Sequence, residues 1–401
     1  MLNILFVSAI PVQYNMSSNL RNRALMYGLW KLGNKVDVCS FKPNKDYFRY
    51  DESLKFDFIN NFYYVANDIS GKSNDNRKKS AQKRDKLTIR KVIASVYNKF
   101  SVWDIRYFPV KNSNIPVIDN SYDLIISSSD PKSSHILAQM IKKKNKGKTG
   151  AWIQYWGDPF TFDVSNRSLV PKRIIEKTEA KLIDRADEVV YVSPFTKSME
   201  EKIHSEYCKK MHFIDRPVMN NVEIDYTNKV SENNSSSLNI GYFGQLYKGR
   251  NISPLYKAIV NSNHKLHIFC TDIYDPEGIL VETDNVFING RLDVTSCYKR
   301  EEQMDVLVCL CNETGTQIPG KFYDYATTNK HVLAIIDGET VELRQAIKDY
   351  LSSFNRFIIC ENNENSILYA LDHLFEYNHL RKPCDSFSPE IVAQKFVDLM
   401  A

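Results

Sequence analysis

Short apolar runs alternate along this chain with stretches whose apolar positions recur at helical spacing. Residues 2–10 are mostly apolar, residues 17–33 place leucine and alanine on one stripe, and residues 36–41 are largely apolar again. The short runs predict buried strands, and the stripe predicts an amphipathic helix. The order strand, loop, helix, strand is typical of a doubly wound α/β domain, in which ligands bind at the carboxyl ends of strands. Loop 11–18 is therefore predicted to face a ligand, although Ser17 or Ser18 could equally cap the helix.

The alternation begins again in the second half of the chain. A polar run, NNSSS at 233–237, is the best linker candidate, and a new strand, glycine turn and helix follow it. We therefore predict domains at 1–232 and 233–387 and a terminal helix at 388–401. Other predicted elements are the strands 123–128 and 151–155 and the helix 170–185.

Composition and length fit a globular protein of two domains. A chain of 401 residues exceeds one typical core and accommodates two domains of roughly 150 to 200 residues. No apolar run approaches the roughly 18 residues of a membrane-spanning helix, and the N-terminal residues fit a buried strand rather than a secretion leader. Eight scattered cysteines favour reduced thiols in the cytoplasm. Neither they nor the eight histidines have metal-ligand spacing, so we expect no metal site.

Positive charge is concentrated in one segment. Residues 72–99 carry ten lysines or arginines and two acidic residues, a net charge of +8, whereas the whole chain carries only +5. The later part of the segment also has apolar residues on one helical side, which suits peripheral contact with an anionic membrane. A solvated loop followed by a core helix fits the same residues. Nucleic-acid binding is not expected, because no nucleic-acid motif accompanies the charge.

The segment 314–336 carries the clearest candidate chemistry. It is predicted to form a glycine-containing turn, a short helix after Pro319 and a buried strand. Lys321 and Asp324 are three residues apart and would emerge on one helix face, next to amides that could bind an anion. A lysine for phosphate and a carboxylate for a ribose diol suit a nucleotide sugar, although a surface ion pair fits the spacing equally well.

The stretch TQIPGKFYDYATTNKHVLAI resembles the nucleotide-sugar segment of GT-B glycosyltransferases similar to family 4. That family has an E-x7-E pair here, and by match Asp324 is its second member, while the first position holds Thr316 instead of an acid. The resemblance implies that the donor sugar contacts the Thr316 hydroxyl, Gln317 and nearby backbone amides. The donor-side residues implied by the match are Thr316, Gln317, Ile318, Pro319, Gly320, Tyr323 and Asp324.

Two further stretches of the second half resemble the same family. LNIGYFGQLYKGR is similar to the family's glycine turn, whose basic residue faces the donor diphosphate; Arg250 is the first choice for that role and Lys248 the second. Gly244 would let the diphosphate approach the backbone. NGRL at 289–292 is similar to a loop that approaches the nucleobase, which makes Arg291 a candidate contact.

The first half resembles the family less closely. WGDPF is similar to an aromatic-x-D-P loop, so Asp158 is a candidate for orienting or deprotonating an acceptor hydroxyl, or else a turn cap. RADEVVYVS is similar to the last strand of the family's first domain. On the acceptor side the other candidates are Ser17, Ser18 and His135, although core packing suits the histidine as well.

The resemblance implies an α/β protein of the GT-B class, with two Rossmann-like doubly wound domains facing across a cleft. It implies a retaining, metal-independent transferase without a cofactor, in which Arg250 and Lys321 stabilise the diphosphate of a UDP- or GDP-sugar and Asp158 serves the acceptor. The expected acceptor is a lipid-linked or growing surface glycan, reached from the cytoplasm or the inner membrane face. A GT-B nucleotide-sugar epimerase and a non-catalytic donor-binding subunit remain the alternatives.

Overall fold

The structure is a computed structural model that describes residues 1–68, 96–97, 99–163, 168–219, 237–270, 273–275 and 277–400. It divides into two compact units. The first consists of Met1–Pro217 with Pro389–Ala401, and the second is Val218–Ser388. The boundary thus precedes the predicted one, and most of the predicted linker and of the basic segment 72–99 lies outside the described residues.

The first unit is a parallel sheet with helices. Its strand order is β3-β2-β1-β4-β5-β6-β7. The strands are β1 (Asn3–Val7), β2 (Lys35–Lys42), β3 (Phe62–Asn67), β4 (Tyr122–Ser128), β5 (Thr149–Trp156), β6 (Glu188–Tyr191) and β7 (Met211–Phe213). The helices are α1 (Ser17–Lys31), α2 (Tyr107–Lys111), α3 (Ser133–Lys144), α4 (Lys172–Arg185) and α5 (Pro194–Ile203), followed by a 3₁₀ helix (Ser205–Lys210).

The second unit repeats the architecture with a six-stranded sheet. Its strand order is β10-β9-β8-β11-β12-β13, and all its pairs are parallel. The strands are β8 (Asn239–Phe243), β9 (Lys265–Phe269), β10 (Val286–Asn289), β11 (Val306–Leu310), β12 (His331–Ile336) and β13 (Ile358–Glu361). The helices are α6 (Ser253–Val260), α7 (Val294–Glu302), α8 (Lys321–Ala326), α9 (Val341–Ser352) and α10 (Glu364–Asp372), with 3₁₀ helices at Leu374–Arg381 and Asp385–Phe387.

Burial on both faces of each sheet explains the uninterrupted apolar runs. In β1, Ile4 and Phe6 belong to one apolar cluster and Leu5 and Val7 to another, and all four are fully buried. Successive side chains of a strand point to opposite faces, so helices must cover both faces of the sheet. A strand in that position needs apolar residues at every position, which is the pattern in the sequence.

The terminal helix α11 (Pro389–Asp398) packs on α1 within the first unit. Its apolar side includes Val392 and Phe396, and the Phe396 ring lies edge-on to Tyr155 at 5.0 Å. Gly28 of α1 makes the close approach possible, because a β-carbon there would overlap the carbonyl of Pro389. No helix among the described residues is both long and apolar enough to cross a membrane.

Gly28→Ala is expected to destabilise the first unit by about 1–3 kcal/mol, since the added methyl group forces α1 and α11 apart. Gly290→Ala is the matched control, because a β-carbon there would meet no atom within 4 Å. Chemical denaturation of both variants measures the effect. Equal unfolding free energies for the two would contradict this account of the helix contact.

Several elements differ from the sequence predictions. RADEVVYVS is not the last strand of the first unit, because β7 pairs beyond β6. Strand β3 and helices α7 and α9 had not been predicted. Neither Ser17 nor Ser18 caps α1, since Met16 occupies the N-cap position and no side chain there makes a capping bond.

Candidate functional site

In the second unit, two loops that carry candidate residues meet at one edge of the sheet. Strand β8 lies between β9 and β11. The strands that follow β8 in the chain extend the sheet on one side as β9 and β10, and the later strands extend it on the other side from β11, which is a parallel neighbour of β8. Ligands of open α/β sheets bind at such switch points, beyond the carboxyl ends of the strands. The loops after β8 and β11 are joined there, because the Glu313 amide donates to the carbonyl of Gly249 at 2.8 Å. Gly249 has a φ of +96°, which favours glycine in this turn.

Arg250 ends the loop after β8 and bonds to neutral groups. Its Nη2 donates to Asn312 Oδ1 at 2.8 Å and to the Tyr247 hydroxyl at 3.2 Å, and its guanidinium lies 4.8 Å from the centre of the Tyr247 ring. Its Nη1 reaches the Gln245 carbonyl at 3.4 Å. These contacts orient the guanidinium without neutralising its charge. Lys248, the second choice for the same role, is exposed.

Lys321 begins α8 and pairs with an acid 20 positions earlier, which its sequence spacing did not predict. Its Nζ donates to Glu301 Oε1 at 2.6 Å, and the Lys321 side chain is 30% exposed while that of Glu301 is 1% exposed. Burial opposes the charge of Lys321, but nearby Cys297, Glu301 and Asp324 raise its pKa well above the usual value. The lysine therefore stays charged and is held by Glu301, with Asp324 as a further negative neighbour instead of its main partner.

Gln317 is the most unusual polar residue of the loop after β11. Its side-chain oxygen and nitrogen are both buried and have no hydrogen-bond partner among the described residues. Its backbone carbonyl accepts a bond from Asn312 Nδ2 at 3.5 Å, which links it to the group that orients Arg250. Burying an unpaired amide costs about 1–3 kcal/mol, so this side chain is suited to bonding a polar ligand.

The other donor-side candidates differ in what they can offer. Thr316, Pro319 and Gly320 are partly exposed, whereas Ile318 is 9% exposed. The carbonyls of Pro319 and Gly320 accept bonds from the amides of Phe322 and Tyr323, so those two amides are already used. Because α8 has only six residues, its helix dipole stabilises a bound anion less than the predicted helix would.

Two further candidates pack against neighbouring side chains, and a third is exposed. Tyr323 is 2% exposed, and its hydroxyl lies 3.1 Å from that of Tyr350. Gly244 sits over the Tyr242 ring, where a β-carbon would lie 2.9 Å from the hydroxyl oxygen. Arg291 is exposed and follows β10. Tyr323 therefore holds α8 in place, and the small size of Gly244 serves contact with Tyr242.

In the first unit, the switch point lies between β1 and β4, and charged residues gather near it. Lys132, in the loop after β4, donates from Nζ to Asp130 and, at 2.9 Å, to Asp163. Asp158 follows the neighbouring strand β5, and its carboxylate oxygen lies within 4.8 Å of those of Asp130 and Asp163. Partial burial and these two carboxylates raise the pKa of Asp158 well above the usual value. A raised pKa makes the ionised form of a carboxyl group a stronger base.

A second buried cation lies beside this acidic group. Arg21 of α1 donates to the Ser128 hydroxyl at 2.9 Å and to the carbonyl of Ser129, and its guanidinium lies 4.4 Å from the centre of the Tyr155 ring. Ser17, at the start of the same helix, is exposed and accepts a bond from Arg216 at 2.8 Å, while Ser18 is partly exposed. The roles of Lys132 and Arg21 were not predicted, because Asp163 lies 31 positions from Lys132 and Ser128 lies 107 positions from Arg21.

His135 is a core residue of the first unit. It is fully buried, its Nδ1 lies 2.8 Å from the Ser127 hydroxyl, and its ring packs on Trp156 at 4.6 Å. Burial, together with the charges of Lys132 and Arg21, lowers its pKa to about 3. His135 therefore has the core-packing role that the sequence left open and is not exposed to a ligand.

The depressed pKa of His135 predicts a pH dependence of stability. The unfolded chain binds a proton at this histidine near pH 6.5, and the folded chain does not. The free energy of unfolding therefore has its full value above pH 6.5 and decreases as the pH falls towards 3. At pH 5 the loss is about 2 kcal/mol. His135→Gln is expected to remove this loss, and the exposed His379→Gln is expected to retain it; unfolding free energies at pH 7 and pH 5 measure both. Equal pH slopes in the two variants would contradict the assignment.

Two groups of side chains have the composition of a metal site among the described residues. They are Asp130 with Asp158 and Asp163, and Glu179 with Glu200 and His204. In the first group Lys132 already supplies a cation to two of the carboxylates. Among the described residues, no lysine or arginine forms an ion pair with the second group, whose charge contacts are those of His204 with the two glutamates.

Comparison with known proteins gives matches among solved structures alone. No protein-family model and no curated protein matches the chain. Sucrose-phosphate synthase from Thermosynechococcus elongatus matches with a TM-score of 0.59 at 13% identity, over 100% of this chain and 98% of that one. The catalytic domain of starch synthase IV from Arabidopsis thaliana, bound to ADP and acarbose, matches with 0.61 at 10% identity, over 100% and 98%. The lipopolysaccharide outer core galactosyltransferase WaaB in its apo form matches with 0.56 at 12% identity, over 100% and 99%. The predicted α/β fold with two Rossmann-like units is therefore confirmed.

Proposed function

We propose that this chain, which has the GT-B fold of the glycosyltransferases it matches, transfers a sugar from a UDP- or GDP-sugar. The observation that carries the proposal is the meeting of the loops after β8 and β11, which bear Arg250 and Lys321. Fold alone does not establish function, so the proposal depends on the chemistry of this edge.

The two cations suit a diphosphate. Among the described residues, Arg250 bonds to Asn312, the Tyr247 hydroxyl and the Gln245 carbonyl and to no acid, so its charge is uncompensated there. Lys321 has three ammonium donors, of which one bonds to Glu301 and a second makes a weak contact of 4.0 Å with Cys297 Sγ. When the sugar leaves, negative charge grows on the diphosphate, and fixed cations stabilise that transition state most. On this proposal no metal ion is needed at the diphosphate.

Gln317 and Thr316 would contact the transferred sugar in place of a carboxylate. The unpaired amide of Gln317 can donate to one sugar hydroxyl and accept from another, which satisfies both of its buried atoms. Asp324 would accept bonds from the ribose. Since no nucleophile is evident among these residues, we propose that the acceptor attacks from the face of the leaving group, which retains the anomeric configuration.

On the acceptor side we propose Asp158 as the base. A raised pKa makes the ionised carboxylate of Asp158 a stronger base for the proton of the attacking hydroxyl, and the neighbouring Lys132 and Arg21 keep the acidic cluster in place. Ser17 and Ser18 are proposed as further acceptor contacts. A lipid-linked or growing surface glycan remains the proposed acceptor, reached from the cytoplasmic side of the membrane; the matched WaaB acts on lipopolysaccharide outer core by its name.

Incubation of the purified chain with labelled UDP- and GDP-sugars tests the function. A transferase is expected to hydrolyse one donor slowly, at equal rates with magnesium or with brief EDTA treatment, and to release the sugar first in its original anomeric form. Interconversion of the sugars would instead indicate the epimerase. Tight binding without turnover would indicate a donor-binding subunit, and absence of binding to any donor would refute the assignment.

A further inference from the structure

We propose that Glu179, Glu200 and His204 form a buried site for one divalent transition-metal ion in the first unit. Glu179 lies on α4, Glu200 lies on α5, and His204 follows the end of α5. Glu200 and His204 are four residues apart and so lie on the same side of the helix, one turn apart. The exposed fractions of the three residues are 0%, 0% and 4%.

The distances within the cluster match a coordination shell. His204 Nε2 lies 3.6 Å from Glu179 Oε2 and 3.7 Å from Glu200 Oε2. Both separations exceed the usual N–H···O range of 2.7–3.2 Å. Bonds of about 2.0–2.2 Å from a tetrahedral metal to nitrogen or oxygen give ligand separations of roughly 3.3–3.6 Å. One ion could therefore bind all three atoms with small adjustments of the side chains.

Unpaired buried atoms provide an independent reason for a ligand. Both carboxylate oxygens of Glu200, the His204 Nε2 and the Tyr191 hydroxyl are buried and have no hydrogen-bond partner among the described residues. The Tyr191 hydroxyl lies near enough to Glu200 and Glu179 to interact with their charges. Such groups are rare in folded proteins unless an ion or water satisfies them.

Charge favours an ion over a water molecule. Glu179 and Glu200 place two buried carboxylates within 4.8 Å of each other, and a pair of negative charges at this distance is poorly accommodated without a cation. A divalent ion balances both carboxylates and binds neutral imidazole. The mixed set of oxygen and imidazole donors suits zinc or manganese and does not suit magnesium or calcium, which bind oxygen ligands.

The contacts of Glu179 indicate a structural role. Its Oε1 accepts from the Phe160 amide at 2.7 Å, and its Oε2 accepts from the Thr161 amide at 3.2 Å and the Thr161 hydroxyl at 2.6 Å. A metal would thus connect α4 and α5 to the turn that directly follows Asp158. This inference departs from the expectation that the chain has no metal site, and it is independent of the donor residues in the other unit.

The test uses the full chain without a histidine tag, stripped of metal and then equilibrated with zinc, manganese or cobalt. We expect about one tightly bound ion per chain by elemental analysis, a higher Tm on loading, and cobalt absorption in the visible range from a low-symmetry site. Glu200→Gln and His204→Gln should lose the ion and the increase in Tm. Glu201→Gln is the matched control, because its partly exposed carboxylate pairs with Lys197 outside the cluster.

The sign of the Tm change separates the proposal from its alternative. Without a metal, Glu200→Gln removes an uncompensated buried acid and should raise the Tm of the chain; with a metal, it should lower the Tm of the loaded protein. A wild-type chain that binds no ion overturns the proposal. Binding that survives in both Glu200→Gln and His204→Gln also overturns it, since the ion then sits elsewhere, for example at the surface pair of His212 and Glu188. His204→Gln leaves the outcome readable should Glu200→Gln fail to fold.

Discussion

Arg250→Ala is expected to abolish the rise in Tm that a UDP- or GDP-sugar gives the wild-type chain, and to slow donor hydrolysis by about 10²–10³-fold. The loss corresponds to about 2.7–4 kcal/mol of transition-state stabilisation, the size found when one fixed donor to a developing anion is removed. The expected loss is large because the neutral partners of Arg250 leave its charge available to the diphosphate. Thermal shift and hydrolysis of labelled donor measure the two effects separately.

Two variants control the Arg250 experiment. Arg300→Ala removes an exposed arginine that bonds to Gln303 at 2.8 Å, and it should keep the thermal shift of the wild type. Arg250→Lys retains the charge but not the bidentate geometry, so an intermediate loss is expected. An undiminished thermal shift in Arg250→Ala would show that the diphosphate does not bind at this residue.

Asp158→Asn is expected to leave donor binding unchanged while slowing turnover by about 10²–10⁴-fold, because an amide of the same shape cannot accept the proton of the attacking hydroxyl. The donor residues lie in the other unit and are untouched. With water as the acceptor, hydrolysis of the labelled donor gives kcat, and thermal shift gives binding. A lowered rate with normal binding is the expected combination.

The raised pKa of Asp158 gives this variant a pH signature. Wild-type turnover should increase as the pH rises through that pKa, since the base acts in its ionised form, and Asp158→Asn should lack the increase. Asp163→Asn removes a negative neighbour of Asp158 and should move the increase to lower pH. A wild-type pH profile in Asp158→Asn would exclude this carboxylate as the base.

The fold could be predicted where burial on both faces produced long apolar runs. Strand β3 was not predicted although its sequence, FYYVAN, begins with five apolar residues; it buries only Val65 of its six residues, so its run is not that of a strand covered on both faces. Strand β7 has three residues, too few to show a period. Helix α7 is rich in charged residues and buries only Glu301, so its helical pattern carries no apolar stripe.

The candidate site could be predicted only in part, because local spacing does not reveal distant partners. The turn and short helix around Pro319 were visible in the sequence, and so were Lys321 and Asp324. The ion pair of Lys321 with Glu301 crosses 20 positions, and the bond between Arg250 and Asn312 crosses 62. Tyr323 lies inside the matched motif and was predicted to bind the donor, but its side chain packs against Phe387 and Tyr350.

A crystal structure of the chain with a bound UDP- or GDP-sugar tests the central claim most directly. The account predicts the diphosphate at the carboxyl ends of β8 and β11, with its oxygens within hydrogen-bond distance of the Arg250 guanidinium and the Lys321 ammonium. A donor bound elsewhere, or an Arg250 that keeps its bonds to Asn312 and Tyr247 with no phosphate beside it, would contradict the account.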